Sequence, residues 1–197
     1  MNFEITKFFE NFEKNLPIEL VKIQEVAKAI NLDLPSEYLE IFSFMNGGEG
    51  FIGDNFCRLY PLDELVSLNE SFSVKEFAPE IFIFGSNGGG EAFAFNIAES
   101  PYVIIKIPFI PMDLDFTNLI GQTVSEFFSS FSTSERRTLL EINRDLIGKE
   151  IHEKHPVVFG GDPIDPNNKT FVPTKNYAEL VVFWNKIWHS RKTGVAK

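Results

Sequence analysis

Cysteine is nearly absent from this chain of 197 residues. Cys57 stands alone, which excludes a disulfide framework within the chain and fits a reducing compartment. Basic residues are also scarce, with 18 Lys and Arg against 28 Asp and Glu, a net charge of −10 and a pI near 4.8. A nucleic-acid binder needs basic patches, and an anionic membrane surface attracts the same kind of charge, so both partners are disfavoured. No apolar run approaches the roughly 18 residues of a membrane helix. Met1 to Lys7 holds an early acid and no basic-then-apolar block, so no signal peptide is visible. The expectation is a cytoplasmic chain with no nucleic-acid and no membrane partner.

What remains is the composition of a folded protein, 44% hydrophobic and 23% charged, long enough for a core without staples. Phenylalanine dominates the aromatics, with 22 Phe against 4 Tyr and 2 Trp. Nineteen of these Phe fall in residues 1–131, which also hold 20 acids and 7 bases, a net charge of −13. Residues 132–197 hold 8 acids and 11 bases, net +3. The step at about residue 131 divides an acidic, Phe-rich domain, 1–131, from a more basic appendage, 132–197.

Helical periodicity governs the start. Ile5, Phe8, Phe9, Phe12 and Leu16 follow a helical stripe over 3–14. Leu20, Ile23, Ala27 and Ile30 share one face of a second helix over 18–30. Pro35 suits the first turn of a third, with Tyr38, Ile41, Phe42 and Met45 inward and Asn46-Gly47-Gly48 as its left-handed stop. Alternation then takes over. Residues 50–60 read as a hairpin turning at Gly53-Asp54-Asn55, and Pro61 to Val66 as the start of a short helix. Ile81–Phe84, Ala92–Phe95 and Val103–Ile107 read as strands, the first two joined by a turn at Ser86-Asn87-Gly88-Gly89-Gly90. Thr123 and Glu126 form the capping-box spacing ahead of a helix carrying Val124, Phe127, Phe128 and Phe131 inward. In the appendage, a helix over 134–147 follows a cap at Thr133 or Ser134, an irregular Pro- and Gly-rich arm spans 156–174, and a last helix covers Tyr177 to His189.

Three blocks in this order resemble the SUKH superfamily, from about Leu16 to Phe131. They are Ile23-Gln24-Glu25 leading to Leu34-Pro35-Ser36-Glu37-Tyr38, then Met45 to Gly50, then Phe82 to Phe95 with its glycine turn and alternating aromatics. The superfamily includes fungal cell-wall-assembly regulators and bacterial immunity proteins against polymorphic toxins. The resemblance implies an α+β domain, a single mostly antiparallel sheet of five or six strands with packed helices, here with a helical C-terminal extension. It implies a protein-binding role without chemistry of its own, hence no enzyme and no cofactor. The partner is then a protein, and a basic toxin domain fits the acidic charge. A regulatory scaffold and, third, a small-molecule-binding domain stay open as alternatives.

Candidate site residues follow from exposure and chemistry. Glu49, Asp54 and Glu91 flank glycine turns and are the first choice for contacts with a partner. Convergence of these acids in a closed pocket is what the small-molecule or enzymatic alternative requires. Trp184 and Trp188, four apart on the last helix, either pack on the domain or serve a partner or a dimer. Ser86 to Gly90 lacks the Lys-Ser/Thr of a phosphate loop. His152 and His155 are three apart with Pro156 next, which does not match zinc-protease spacing and reads as polar residues at a helix end, so no metal is expected. Cys57, among apolar neighbours without an adjacent His, reads as a buried strand thiol.

Overall fold

The structure, a computed structural model, describes residues 3–53, 55–131 and 147–194. Asp54, residues 134–146 of the helix expected over 134–147, and the chain end at Lys197 lie outside the described residues.

Seven strands form one antiparallel meander in chain order: β1 (Phe12–Lys14), β2 (Gly48–Ile52), β3 (Asn55–Leu59), β4 (Ile81–Ser86), β5 (Glu91–Asn96), β6 (Val103–Pro108) and β7 (Asn118–Gly121). A separate pair, β8 (Lys149–Glu153) with β9 (Lys169–Pro173), belongs to the extension. The fold is α+β, as the patterning implies, but the sheet is larger than five or six strands and the extension is not purely helical. The four extra strands are short, and their partners are set by tertiary pairing, which a local period does not report.

The N-terminal stripe illustrates this. Only α1 (Phe3–Thr6) and a 3-10 turn, Lys7–Phe9, are helical; residues 12–14 pair with β2 instead. Opposite them stand Gly48 and Gly50, where a side chain would meet the backbone oxygens of Glu13 and Asn11 at about 2.5 and 2.4 Å. Those glycines let the edge strand come close.

Helices α2 (Leu20–Ile30) and α3 (Ser36–Phe42) follow the expected pattern, with Tyr38, Ile41 and Phe42 buried. The third helix stops earlier than expected, at a right-handed Ser43. Asn46 instead clamps the next turn: it accepts from Leu62 N at 2.9 Å and donates to Asp63 at 2.9 Å. Gly47 (φ +72°) lies so close to Leu59 O that a Cβ would approach to 2.6 Å. After β3 come a 3-10 turn, Leu62–Glu64, and α4 (Leu65–Ser71) and α5 (Val74–Phe77).

The capping box before α6 (Val124–Phe131) forms: Thr123 Oγ1 accepts from Glu126 N at 3.1 Å, and Glu126 reaches back to Gln122 N at 2.8 Å. Phe93 and Phe95, two residues apart on β5, share one sheet face. There they meet Phe127 of α6 and Tyr38 of α3. The rings of this layer pack mostly edge-on, the arrangement favoured by the ring quadrupole. Ala92 and Ala94 point to the opposite face, which α4 and the final helix α7 (Thr174–Lys192) cover. Phe72, Phe109 and Tyr177 join that second layer. Cys57 is fully buried, and burial pushes its thiol up, with Arg58 acting weakly against it. The chain has no helix among the described residues long and apolar enough to cross a membrane.

Candidate functional site

The sheet register sets up a row of polar residues on one face. Glu13 of β1 stands opposite Glu49 of β2, Glu49 opposite Arg58 of β3, and Arg58 opposite Ser86 of β4. Arg58 is the lone arginine of the first 131 residues and is buried. A buried guanidinium must be paired, and here it is paired on every side. Its Nε donates to Glu49, its Nη1 to Glu150 at 2.5 Å, and its Nη2 to Lys149 O at 2.9 Å.

Glu150 comes from β8 in the extension and is fully buried. Its Oε1 also accepts from Ser86 Oγ at 2.9 Å and from the Tyr60 hydroxyl at 3.4 Å. Its Oε2 has no partner among the described residues. Burial raises the Glu150 carboxyl above the usual range, with Arg58 and Ser86 pulling it back. Burial also acts against the charge on Arg58, but Glu150 and Glu49 outweigh it and hold the guanidinium above its ordinary value. Tyr60 and Tyr177 are raised, chiefly by burial and then by Glu150.

Glu49 is thus turned into the seam between domain and extension. Its second oxygen accepts from Gly148 N at 3.0 Å. Glu91 is half-buried at the start of β5, accepting from Asn87 at 2.7 Å and paired with Lys106 at 3.1 Å. The two acids share no partner among the described residues. Asp54 lies outside them.

The two tryptophans are half-buried on α7. Trp184 meets Phe159 at 4.9 Å between ring centres. Trp188 donates to Asp113 at 3.0 Å and meets Phe116 edge-on at 5.8 Å. Lys192 joins Asp113 and Asp115, both at 2.7 Å. Burial tends to raise the Asp113 carboxyl, but the Lys192 and Trp188 hydrogen bonds overcome it and hold the pKa at about 2. Asn185, fully buried one turn earlier, accepts from Met112 N at 2.7 Å and donates to Phe109 O at 2.8 Å.

His152 is not at a helix end. It lies in β8, is buried, and faces the Tyr177 ring at 5.8 Å, with burial lowering its pKa. The alternation of Glu150 and His152 inward with Lys149, Ile151 and Glu153 outward is a strand period that the nearby prolines and glycines obscured. Among the described residues, no group of three or more His, Cys, Asp or Glu side chains is placed to hold a metal ion.

One surface feature adjoins this seam. A groove of about 520 Å³ runs between the domain side, at Glu13, Glu49 and Glu64, and the extension side, at Ile147, Gly148 and Lys175. Close to it in the chain stand three exposed aliphatic residues. Leu16 is 86% exposed, and Leu20 and Val21 at the start of α2 are each 64% exposed. Leu16 follows Asn15, a groove residue, and α2 touches the turn that holds Glu64. The sequence placed Leu20 on the inner face of α2, whereas the helix buries Ile23 and leaves Leu20 out.

The family follows from the sequence as a whole: the profile of the SMI1 / KNR4 family (SUKH-1) matches residues 17–130. The chain belongs to this family. The match covers α2 through α6 and stops before the extension that supplies Glu150. No curated protein matches the chain.

Proposed function

We propose that this SUKH protein is a non-enzymatic binding domain of the immunity type, which neutralises a cognate bacterial toxin by stoichiometric docking. The observation that carries the reading is the exposure of Leu16, Leu20 and Val21 on a domain of net charge −13. Three exposed apolar side chains within six residues offer apolar area that a protein partner can cover. Acidic surroundings speed encounter with a basic partner and select against acidic ones. Glu49 and Glu91 are engaged by Arg58 and Lys106, which suits carboxylates that hold the sheet in shape.

Co-expression with each toxin candidate encoded by a neighbouring gene tests the proposal. Growth should be restored by the protein and lost again with Leu20→Asp combined with Val21→Asp. Unrestored growth with every neighbouring toxin candidate would discard the immunity reading. Capture of several unrelated partners without any effect on toxicity would favour a regulatory scaffold.

A further inference from the structure

A smaller pocket, of about 170 Å³, lies where the glycine turn between β4 and β5 meets the extension. Ile151 N of β8 donates to Gly88 O of that turn at 2.9 Å. Two buried polar side chains line the pocket, Tyr177 of α7 and His152 of β8, only 2% and 5% exposed. Neither side chain makes a hydrogen bond or an ion pair among the described residues. Buried polar groups are ordinarily paired. A hydroxyl offers a donor and an acceptor, and a neutral imidazole offers one of each. Burial lowers the His152 pKa, which leaves its ring neutral at pH 7. A Cβ on Gly90 (φ +101°) would stand 4.0 Å from the Tyr177 hydroxyl, and the glycine leaves that space open. The charges of the lining cancel. Glu153 and Lys169 face each other at 3.8 Å, and Glu153 also accepts from Val157 N at 3.0 Å. A charged ligand would lack a free counter-ion among these residues, whereas an uncharged one leaves no charge stranded. Pro108, Ile110, Ile151 and Pro156 supply apolar walls. The volume is close to the roughly 150 Å³ of an apolar cavity that holds benzene.

We infer that this pocket binds an uncharged single-ring molecule that carries a hydroxyl, a phenol in chemical class. Its hydroxyl, which donates and accepts through one atom, supplies the partner that Tyr177 and His152 lack. Its ring packs against the prolines and isoleucines. The lining is drawn from both parts of the chain, with Gly90, Pro108 and Ile110 from the domain and His152 and Tyr177 from the extension. Occupancy therefore ties the extension to the domain and stabilises the folded chain. The inference is independent of the docking reading above.

The test titrates phenol into the full chain labelled with nitrogen-15. Amide shifts should centre on residues 89–90, 109–110, 151–153 and 177. Toluene, the same ring without the hydroxyl, should bind about fivefold or more weakly than phenol. Benzoate, which is charged, should leave the spectrum unchanged. Both comparisons use the parent chain and need no variant. Tyr177→Phe keeps the ring and removes a hydroxyl that has no partner in the fold. Its spectrum should remain that of the folded chain, and its affinity for phenol should fall about fivefold or more. Absence of shifts with phenol, shifts centred elsewhere, toluene or benzoate binding as tightly as phenol, or a folded Tyr177→Phe binding phenol as the parent does would each overturn the assignment.

Discussion

Arg58 and Glu150 are 92 residues apart in the chain and meet at 2.5 Å in a buried seam. One belongs to the SUKH domain and the other to the extension that follows it. Their contact makes the extension part of the folded unit, because the domain alone would hold a buried arginine with one carboxylate fewer.

Glu150→Ala therefore should cost about 3–5 kcal/mol, the usual penalty for stranding one member of a buried pair. Arg58→Met combined with Glu150→Leu should recover part of the loss, since neither charge is then left behind. Urea unfolding of the three proteins measures both effects, and equal stability of Glu150→Ala and the parent would refute the seam.

Much of this fold was legible locally. The period of α2 and α3, the capping box of α6 and the alternation of β4 and β5 are carried by neighbouring residues, so they could be read directly. β1, β7, β8 and β9 could not, because three to five residues carry little period and their partners come from afar. The same distance hid the roles of Glu49 and Glu91. Each looked like a free acid at a loop tip, while Arg58 and Lys106 stand across the sheet from them. One signal for Arg58 was present: a lone arginine between Cys57 and Leu59 in an apolar strand needs a buried carboxylate, though nothing nearby pointed to Glu150.

The end of α7 should respond to acid. Asp113 has a pKa of about 2 in the fold and an ordinary value of 3.8. Between those values the unfolded chain binds more protons, so this contribution is present above about pH 4 and is lost as the pH falls towards about 2. Stability against pH, followed by tryptophan fluorescence, should show this loss in the parent. Asp113→Asn should flatten that part of the profile.

Asn185 ties α7 to the loop after β6 with both ends of its amide. Asn185→Ala leaves Met112 N and Phe109 O without their partner and should cost about 1–3 kcal/mol for each group that stays dry. Denaturant midpoints measure it. Loss of no more than a few tenths of a kcal/mol would show that the helix is held by its aromatic contacts alone.

The most direct measurement is isothermal titration of the purified chain with each purified toxin candidate encoded by a neighbouring gene. Docking by an acidic surface predicts a one-to-one complex whose affinity falls as salt is raised, with no turnover of either protein. Absence of heat for every such candidate, or consumption of a partner by catalytic amounts of this protein, would contradict it.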